Sequence, residues 1–350
     1  MSDPVYTHLL ALIGTAGDLK TLRGLRDQIQ RQMEARLTER PVEQLYFNLN
    51  GMHDALIGRV IVLAEAEMAR SGNGPPPVPY AYLLFGSGGR EEQTLSSDQD
   101  SGLLYGDPKD ESEKEAVSAY FESFAVIVVD LIKQLGYPPC DGGVMSTNSE
   151  WRLSLSEWKA KLNGWFEDPD WERVRYLLIV ADGRCVYGDP MLMRSFQDFF
   201  FSDMLQNPVI VKHMRSNTMR HKVLIGVFGQ LLREEYGQDA GSLDIKYGAY
   251  IPMVNAVRMM ALQSGIRESS TLERISGLVR NEKLSAGEGA EIAEAFRLFL
   301  RLRLMTTERS VDGLLSNNGK LAGGRMSKEL IDELKSGLRI GKRLERRVNK

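Results

Sequence analysis

The chain has 350 residues, enough for two or three domains with cores of their own. Its 43% hydrophobic and 26% charged residues are ordinary for a globular protein, and a net charge of −3 offers no general basic field for nucleic acid. No apolar run approaches the ~20 residues of a membrane span, the N-terminus lacks the regions of a signal peptide, and two cysteines make no disulfide or metal framework. Cys140 and Cys185 are therefore expected as reduced core residues of a cytoplasmic protein.

Residues 1–75 form an N-terminal helical region. Leu22, Leu25, Ile29 and Met33 recur at helical spacing, Pro41 breaks the run, and Val42, Leu45, Leu49, Met52 and Leu56 resume it. The dipeptide His53-Asp54 invites comparison with metal phosphohydrolases of the HD type. No other ligands of such a site are evident, and a helical residue pair is the simpler account. Ser71 to Pro79 is a Gly- and Pro-rich connector into a core spanning residues 76–206.

That core opens with Tyr80 to Phe85, a short run of aromatic and aliphatic residues that reads as a buried strand. Gly86-Ser87-Gly88-Gly89 follows, where missing Cβ atoms let backbone N–H groups approach an anion. Arg90 to Leu95 is expected to form a short helix whose N-terminal end also favours phosphate. Asp98 and Asp100 open a second apolar run, Leu103-Leu104-Tyr105; two apart in a strand, their carboxylates project to one face. Paired acidic oxygens facing a phosphate cradle suit Mg²⁺ chemistry on a nucleotide.

After a turn at Gly106-Asp107-Pro108, Val117 to Leu135 make an amphipathic helix closed by Gly136. Tyr137 to Trp158 is an irregular loop with a short strand near Gly143-Val144-Met145; its Trp151 either lines a nucleotide pocket or packs as a core aromatic. Val174 to Tyr187 is the next expected strand, with Asp182 and Arg184 after its apolar run. Residues 207–350 read as helical throughout. Ile210, Met214, Ile225, Phe228 and Leu232 mark one long helix, and Val254–Ala261, Ile292–Phe299 and Leu330–Leu338 mark three more. The basic tail from Lys342 to Lys350 is read as a solvated helix end. The fold class is α+β: a small mixed sheet with N-terminal helices and a C-terminal all-helical domain.

The stretch Gly86-Ser-Gly-Gly-Arg-Glu-Glu-Gln-Thr-Leu-Ser-Ser-Asp98-Gln-Asp100 resembles the signature of the polymerase-beta-like nucleotidyltransferase superfamily. More narrowly it is similar to a nucleotidyltransferase family related to the PII-protein uridylyltransferase, often found behind CBS domains. Cys140-Asp-Gly-Gly-Val-Met with Trp151-Arg152, then Asp182-Gly-Arg184 with Gly188-Asp189, extend the similarity, although Asp141 departs from the pattern. Leu243 to Leu262 resembles that family's C-terminal helical domain.

The resemblance implies an enzyme that moves a nucleoside monophosphate from an NTP to an acceptor with pyrophosphate release. The expected partners are the nucleoside triphosphate and a protein, as acceptor or as regulatory partner; nucleic acid and membrane are not expected. It implies Asp98, Asp100 and Asp182 as catalytic residues holding two Mg²⁺ ions, with Mn²⁺ as the alternative. Gly86 and Ser87 would meet the phosphates, and Arg90 would add charge there or pair with a nearby acid. Lys246 and Arg258 would meet the triphosphate or form an ion-pair network with Asp244. Two other functions stay open: a nucleotide-sensing regulatory module without turnover, and transfer to a small molecule. A dinucleotide fingerprint, a P-loop, a zinc site and a nucleophilic triad find no matching residues.

Overall fold

The computed structural model describes residues 4–37, 40–206, 208–218, 223–226, 229–237, 239–309 and 315–348. The chain divides into two compact units. The first comprises Met1–Gln93, Ser97–Glu167 and Asp182–Phe200; the second comprises Thr94–Ser96, Asp168–Ala181 and Phe201–Lys350.

The first unit begins with three helices, α1 (Pro4–Thr15), α2 (Leu19–Arg36) and α3 (Val42–Arg70). Asp18 caps α2 by accepting from Thr21 N at 2.8 Å, and Pro41 precedes α3, so the break expected there is where the chain turns. Strand β1 (Tyr80–Leu84) leads into the one-turn helix α4 (Gly86–Gly89), followed by β2 (Ser101–Tyr105) and α5 (Glu111–Leu135). Asp110 caps α5 at its start, and Gly136, at φ 106°, closes it in the left-handed conformation. Strand β3 (Arg152–Ser154) and helix α6 (Leu155–Glu167) follow. The short strand expected near Gly143 is absent; that segment is a turn, and the pairing falls to Arg152–Ser154 instead.

The apolar run lies in a helix, α7 (Trp171–Val180), and only Arg184–Gly188 forms a strand, β4. The expected strand over 174–187 is thus corrected. A short apolar run fits a buried helix or a strand equally well. Here Asp170 accepts from Arg173 N at 2.8 Å and starts a helix, and Val174, Leu177 and Leu178 fall at its buried spacing.

The sheet order is β3-β2-β1-β4, with β2 and β3 parallel and the other pairs antiparallel. β1 and β2 are buried at every residue, as expected for central strands. Tyr105 stacks on Phe121 of α5 with ring centroids 4.5 Å apart, and Tyr80 packs edge-on against Phe124. Between β1 and β4 the register shifts by one: Tyr82 pairs with Tyr187 but Leu83 pairs with Cys185, leaving Val186 as an extra residue. Helix α8 (Pro190–Gln206) follows β4.

The second unit is mostly helical, with α9 (Pro208–Thr218), α10 (Ile251–Gln263), α11 (Thr271–Arg280), α12 (Ala286–Met305) and α13 (Lys328–Val348). Ser285 and Glu288 form a reciprocal capping box at the start of α12. The single long helix expected over 210–232 is not present. α9 is described as far as Thr218, and further on Ile225 bridges Leu231 as an antiparallel pair around Gly226 and Gly229, the latter at φ 80°. Phe228 lies outside the described residues. Two short ribbons also interrupt the expected all-helical pattern: β5 (Leu243–Asp244) with β8 (Lys320–Leu321), and β6 (Thr307–Arg309) with β7 (Leu315–Asn317). Among the described residues no helix is long and apolar enough to cross a membrane.

Candidate active site

The site is built where β1 stops. Phe85 is extended, and the chain then bends into α4 with Gly86 at φ +54°. The expected helix over Arg90–Leu95 does not form; the helical turn is the Gly-Ser-Gly-Gly segment itself. Gly89 N donates to Phe85 O at 2.8 Å, Arg90 N to Gly86 O at 3.1 Å and Glu92 N to Ser87 O at 2.8 Å, so the turn is a closed backbone unit. The leading N–H groups of a helical turn have no acceptor within it, which is why such a turn suits an anion. Glu91, exposed and at φ 57°, holds a left-handed conformation that a side chain rarely adopts.

Asp98 and Asp100 lie just before β2, in an extended segment held by Gln99. Gln99 N donates to Pro138 O at 2.9 Å, and its side-chain amide donates to Tyr137 O at 2.9 Å. Gln99 therefore faces the interior, and by alternation its two acidic neighbours face the other way. Asp98 is exposed and Asp100 half-buried. The Asp100 carboxylate sits against Gly86: a Cβ on that glycine would lie 2.2 Å from Asp100 Oδ2. Only a glycine at this position lets the carboxylate and the turn approach so closely. A cavity of about 10 Å³, the space of one water, is lined by Gly88, Gln93, Asp98 and Asp100. The Cys140 thiol also meets Asp100. Its pKa is pushed up to about 11, chiefly by burial and then by the negative charge and hydrogen bond of Asp100. Both cysteines are free thiols but half-buried, not the core residues expected.

Asp182 closes the far end of the turn. Its backbone oxygen would lie 2.0 Å from a Cβ on Gly89. Its carboxylate is 1% exposed and accepts from Arg90 Nη1 at 2.6 Å, while Arg90 Nε donates to Glu92 Oε2 at 2.8 Å. Arg90 thus pairs with two buried acids. Asp100 and Asp182 both touch the Gly-rich turn, one by its side chain and the other by its backbone. Among the described residues, no three His, Cys, Asp or Glu side chains form a group able to hold a metal ion.

Two further residues grip the turn, and sequence reasoning gave neither of them this role. Arg184, at the start of β4, donates from Nε to Gly88 O at 2.9 Å. Its two terminal nitrogens form a bidentate pair with Asp54 of α3 at 2.8 and 2.7 Å. Its neighbour His53 is buried, with Nδ1 2.6 Å from Tyr137 Oη. The His53-Asp54 dipeptide is therefore a pair of helix residues with separate structural partners. No periodicity signal links Asp54 to Arg184, because the pairing exists only across the folded unit.

Trp151 packs as a core aromatic against Phe85, Trp158 and Trp165, with centroids 5.1, 5.8 and 6.3 Å away. Arg152 beside it donates to Ser146 O and Thr147 O, both at 2.9 Å, and so shapes the loop after α5.

Lys246 and Arg258 belong to the second unit. Lys246 begins a π-turn (Lys246–Tyr250), and its ammonium lies 5.2 Å from the Tyr247 ring centroid. Asp244 accepts from Tyr247 N at 2.8 Å. Arg258 is buried in α10, where it donates to Leu178 O at 3.0 Å and to Asn255 Oδ1.

The profile described as "Putative nucleotidyltransferase DUF294" matches residues 26–172, and that described as "Putative nucleotidyltransferase substrate binding domain" matches residues 208–350. The chain belongs to this nucleotidyltransferase family. The first match contains the Gly-rich turn, Asp98 and Asp100, and the second covers the helical residues from α9 onward. No curated protein matches the chain significantly. Membership assigns nucleotidyl transfer as the class of reaction.

Proposed function

We propose that the chain is a cytoplasmic, metal-dependent enzyme that transfers a nucleoside monophosphate from an NTP to a protein. The observation that carries this is the Asp100 carboxylate seated against Gly86, with exposed Asp98 two residues away on the same extended segment. Mg²⁺ is commonly held by one or two carboxylates together with substrate phosphates, and Asp98 and Asp100 fit that donor set. When bound, the cations neutralise phosphate charge and polarise the α-phosphoryl group.

In this reading the N–H groups at Gly86 and Ser87 and the Ser87 hydroxyl orient the leaving phosphates. The acceptor hydroxyl attacks the α-phosphorus, forming a new oxygen–phosphorus bond. The bond from that phosphorus to the bridging oxygen breaks, pyrophosphate departs with the electron pair, and the hydroxyl proton passes to solvent. Arg90 and Asp182 act together: with its carboxylate on Arg90, Asp182 holds the arginine beside the turn. The family resemblance implies that Asp182 would be a further ligand for the metal, and here its Oδ2 accepts from Arg90.

The same ion pair favours a second reading, a nucleotide-sensing module that binds without turnover. Incubation with labelled NTPs, Mg²⁺ and cell lysate separates the two. Label on a protein band with pyrophosphate release supports transfer, label on a small molecule moves the acceptor class, and tight binding with no release supports sensing. Asp98→Asn with Asp100→Asn should lower pyrophosphate release at least ~10³-fold, the scale of a lost preorganised charge site, with circular dichroism unchanged. Undiminished release would reject the assignment.

A further inference from the structure

We infer that Asp54 and Arg184 are positioning residues that lock the Gly86–Gly89 turn in its anion-accepting form; the nucleotide half of this inference rests on the function proposed above. The turn is a single helical turn closed by its backbone bonds, and an isolated helical segment of that length gains little stability from such bonds alone. Two restraints act at its far end. The Asp182 backbone presses against Gly89, and Arg184 Nε binds Gly88 O at 2.9 Å. The second restraint is useful only if the guanidinium has a fixed direction, and Asp54 provides that. Its carboxylate takes both terminal nitrogens at 2.8 and 2.7 Å, a planar fork that leaves Nε aimed at the carbonyl. Asp54 is in turn fixed by α3, a helix of 29 residues with a buried face running its length.

The arrangement is more than a salt bridge, because the bond to Gly88 O uses a donor that the ion pair does not. Lysine at 184 would keep the charge but could not reach Asp54 with two nitrogens and Gly88 with a third in one plane. Exchanging the two residues would keep opposite charges but place an acceptor where the Gly88 carbonyl needs a donor. The contact to the turn and the stability of the pair are therefore separable.

The test compares wild type, Arg184→Lys, Asp54→Asn and the exchange Asp54→Arg with Arg184→Asp in the full chain. Amide hydrogen exchange of Gly89, Arg90 and Glu92, whose N–H groups close the turn, reports the lock directly and needs no nucleotide. Exchange there should rise at least ~10-fold in all three variants while β1 and β2 stay protected, and thermal stability in the exchange variant should recover toward wild type. Affinity for a non-hydrolysable NTP with Mg²⁺ should fall ~10-fold alongside it. Unchanged amide protection overturns the inference, as does protection that tracks thermal stability in every variant. If wild type binds no NTP, the transferase reading and the nucleotide half fall together, and the exchange data alone decide the lock.

Discussion

The arginines beside the Gly-rich turn of the first unit and those at the end of α7 in the second do different work. In the first, Arg90 and Arg184 are balanced by carboxylates, Asp182 and Asp54 from distant parts of the chain and Glu92 from close by, and both arginines stand beside the Gly-rich turn. In the second, Arg258 and Arg274 hold the C-terminal end of α7: Arg258 donates to Leu178 O at 3.0 Å and Arg274 to Ala181 O at 2.8 Å. The last carbonyls of a helix carry its negative pole, so a cation there compensates a dipole. Arg303 finds a third kind of partner, the face of Tyr250 at 4.2 Å. A carboxylate partner ties an arginine to a site whose geometry depends on charge. At the end of α7 and at Tyr250 the arginine is tied to packing within the second unit.

The largest expected effect comes from breaking the first kind of pairing. Asp182→Asn should destabilise the first unit by about 3–5 kcal/mol, the usual penalty for stranding one member of a buried pair. Glu92 remains to Arg90, so the lower figure is expected, read as a drop in the urea midpoint. A change below about 1 kcal/mol would mean that Asp182 is held for another purpose. Next, Arg258→Met should cost about 2 kcal/mol by leaving the Leu178 carbonyl without its donor, while NTP affinity changes less than twofold. A large affinity loss at unchanged stability would instead assign Arg258 to the nucleotide. The smallest effect concerns Cys140. Asp100 raises its pKa, so Asp100→Asn should lower it and increase the thiolate fraction at pH 8. Iodoacetamide labelling in a Cys185→Ser background should accelerate a few-fold, and no change would remove Asp100 from the neighbourhood of the thiol. Burial, the larger cause, keeps the pKa raised in either case.

Much of the fold was legible because its signals are local. Pro41, the connector before Tyr80, the stripe from Val117 to Leu135 and Gly136 each act within a few residues, and each element formed where its signal lies. The failures share a cause. At 174–187 and 210–232 an apolar pattern fitted more than one structure; an Asp170 cap starts a helix in the first, and in the second the chain folds back at Ile225–Leu231 around two glycines. The geometry of the candidate site was partly legible: the Gly-rich turn and the acidic pair stand out in the sequence, but the helical turn lies on the glycines and not after them. The Asp54–Arg184 pair was illegible, since a long-range ion pair leaves no periodic trace in either segment.

The extra residue at Val186 has a consequence for what the turn meets. A ladder continued from Gly188 opposite Ala81 without interruption would have set Cys185 across from Leu84, with Arg184 one step further and on the opposite side. By absorbing one residue, the strand brings Arg184 opposite Leu84 instead. A flaw in hydrogen-bond spacing thereby exchanges a weakly polar sulfur for a permanent cation at the edge of the glycine segment.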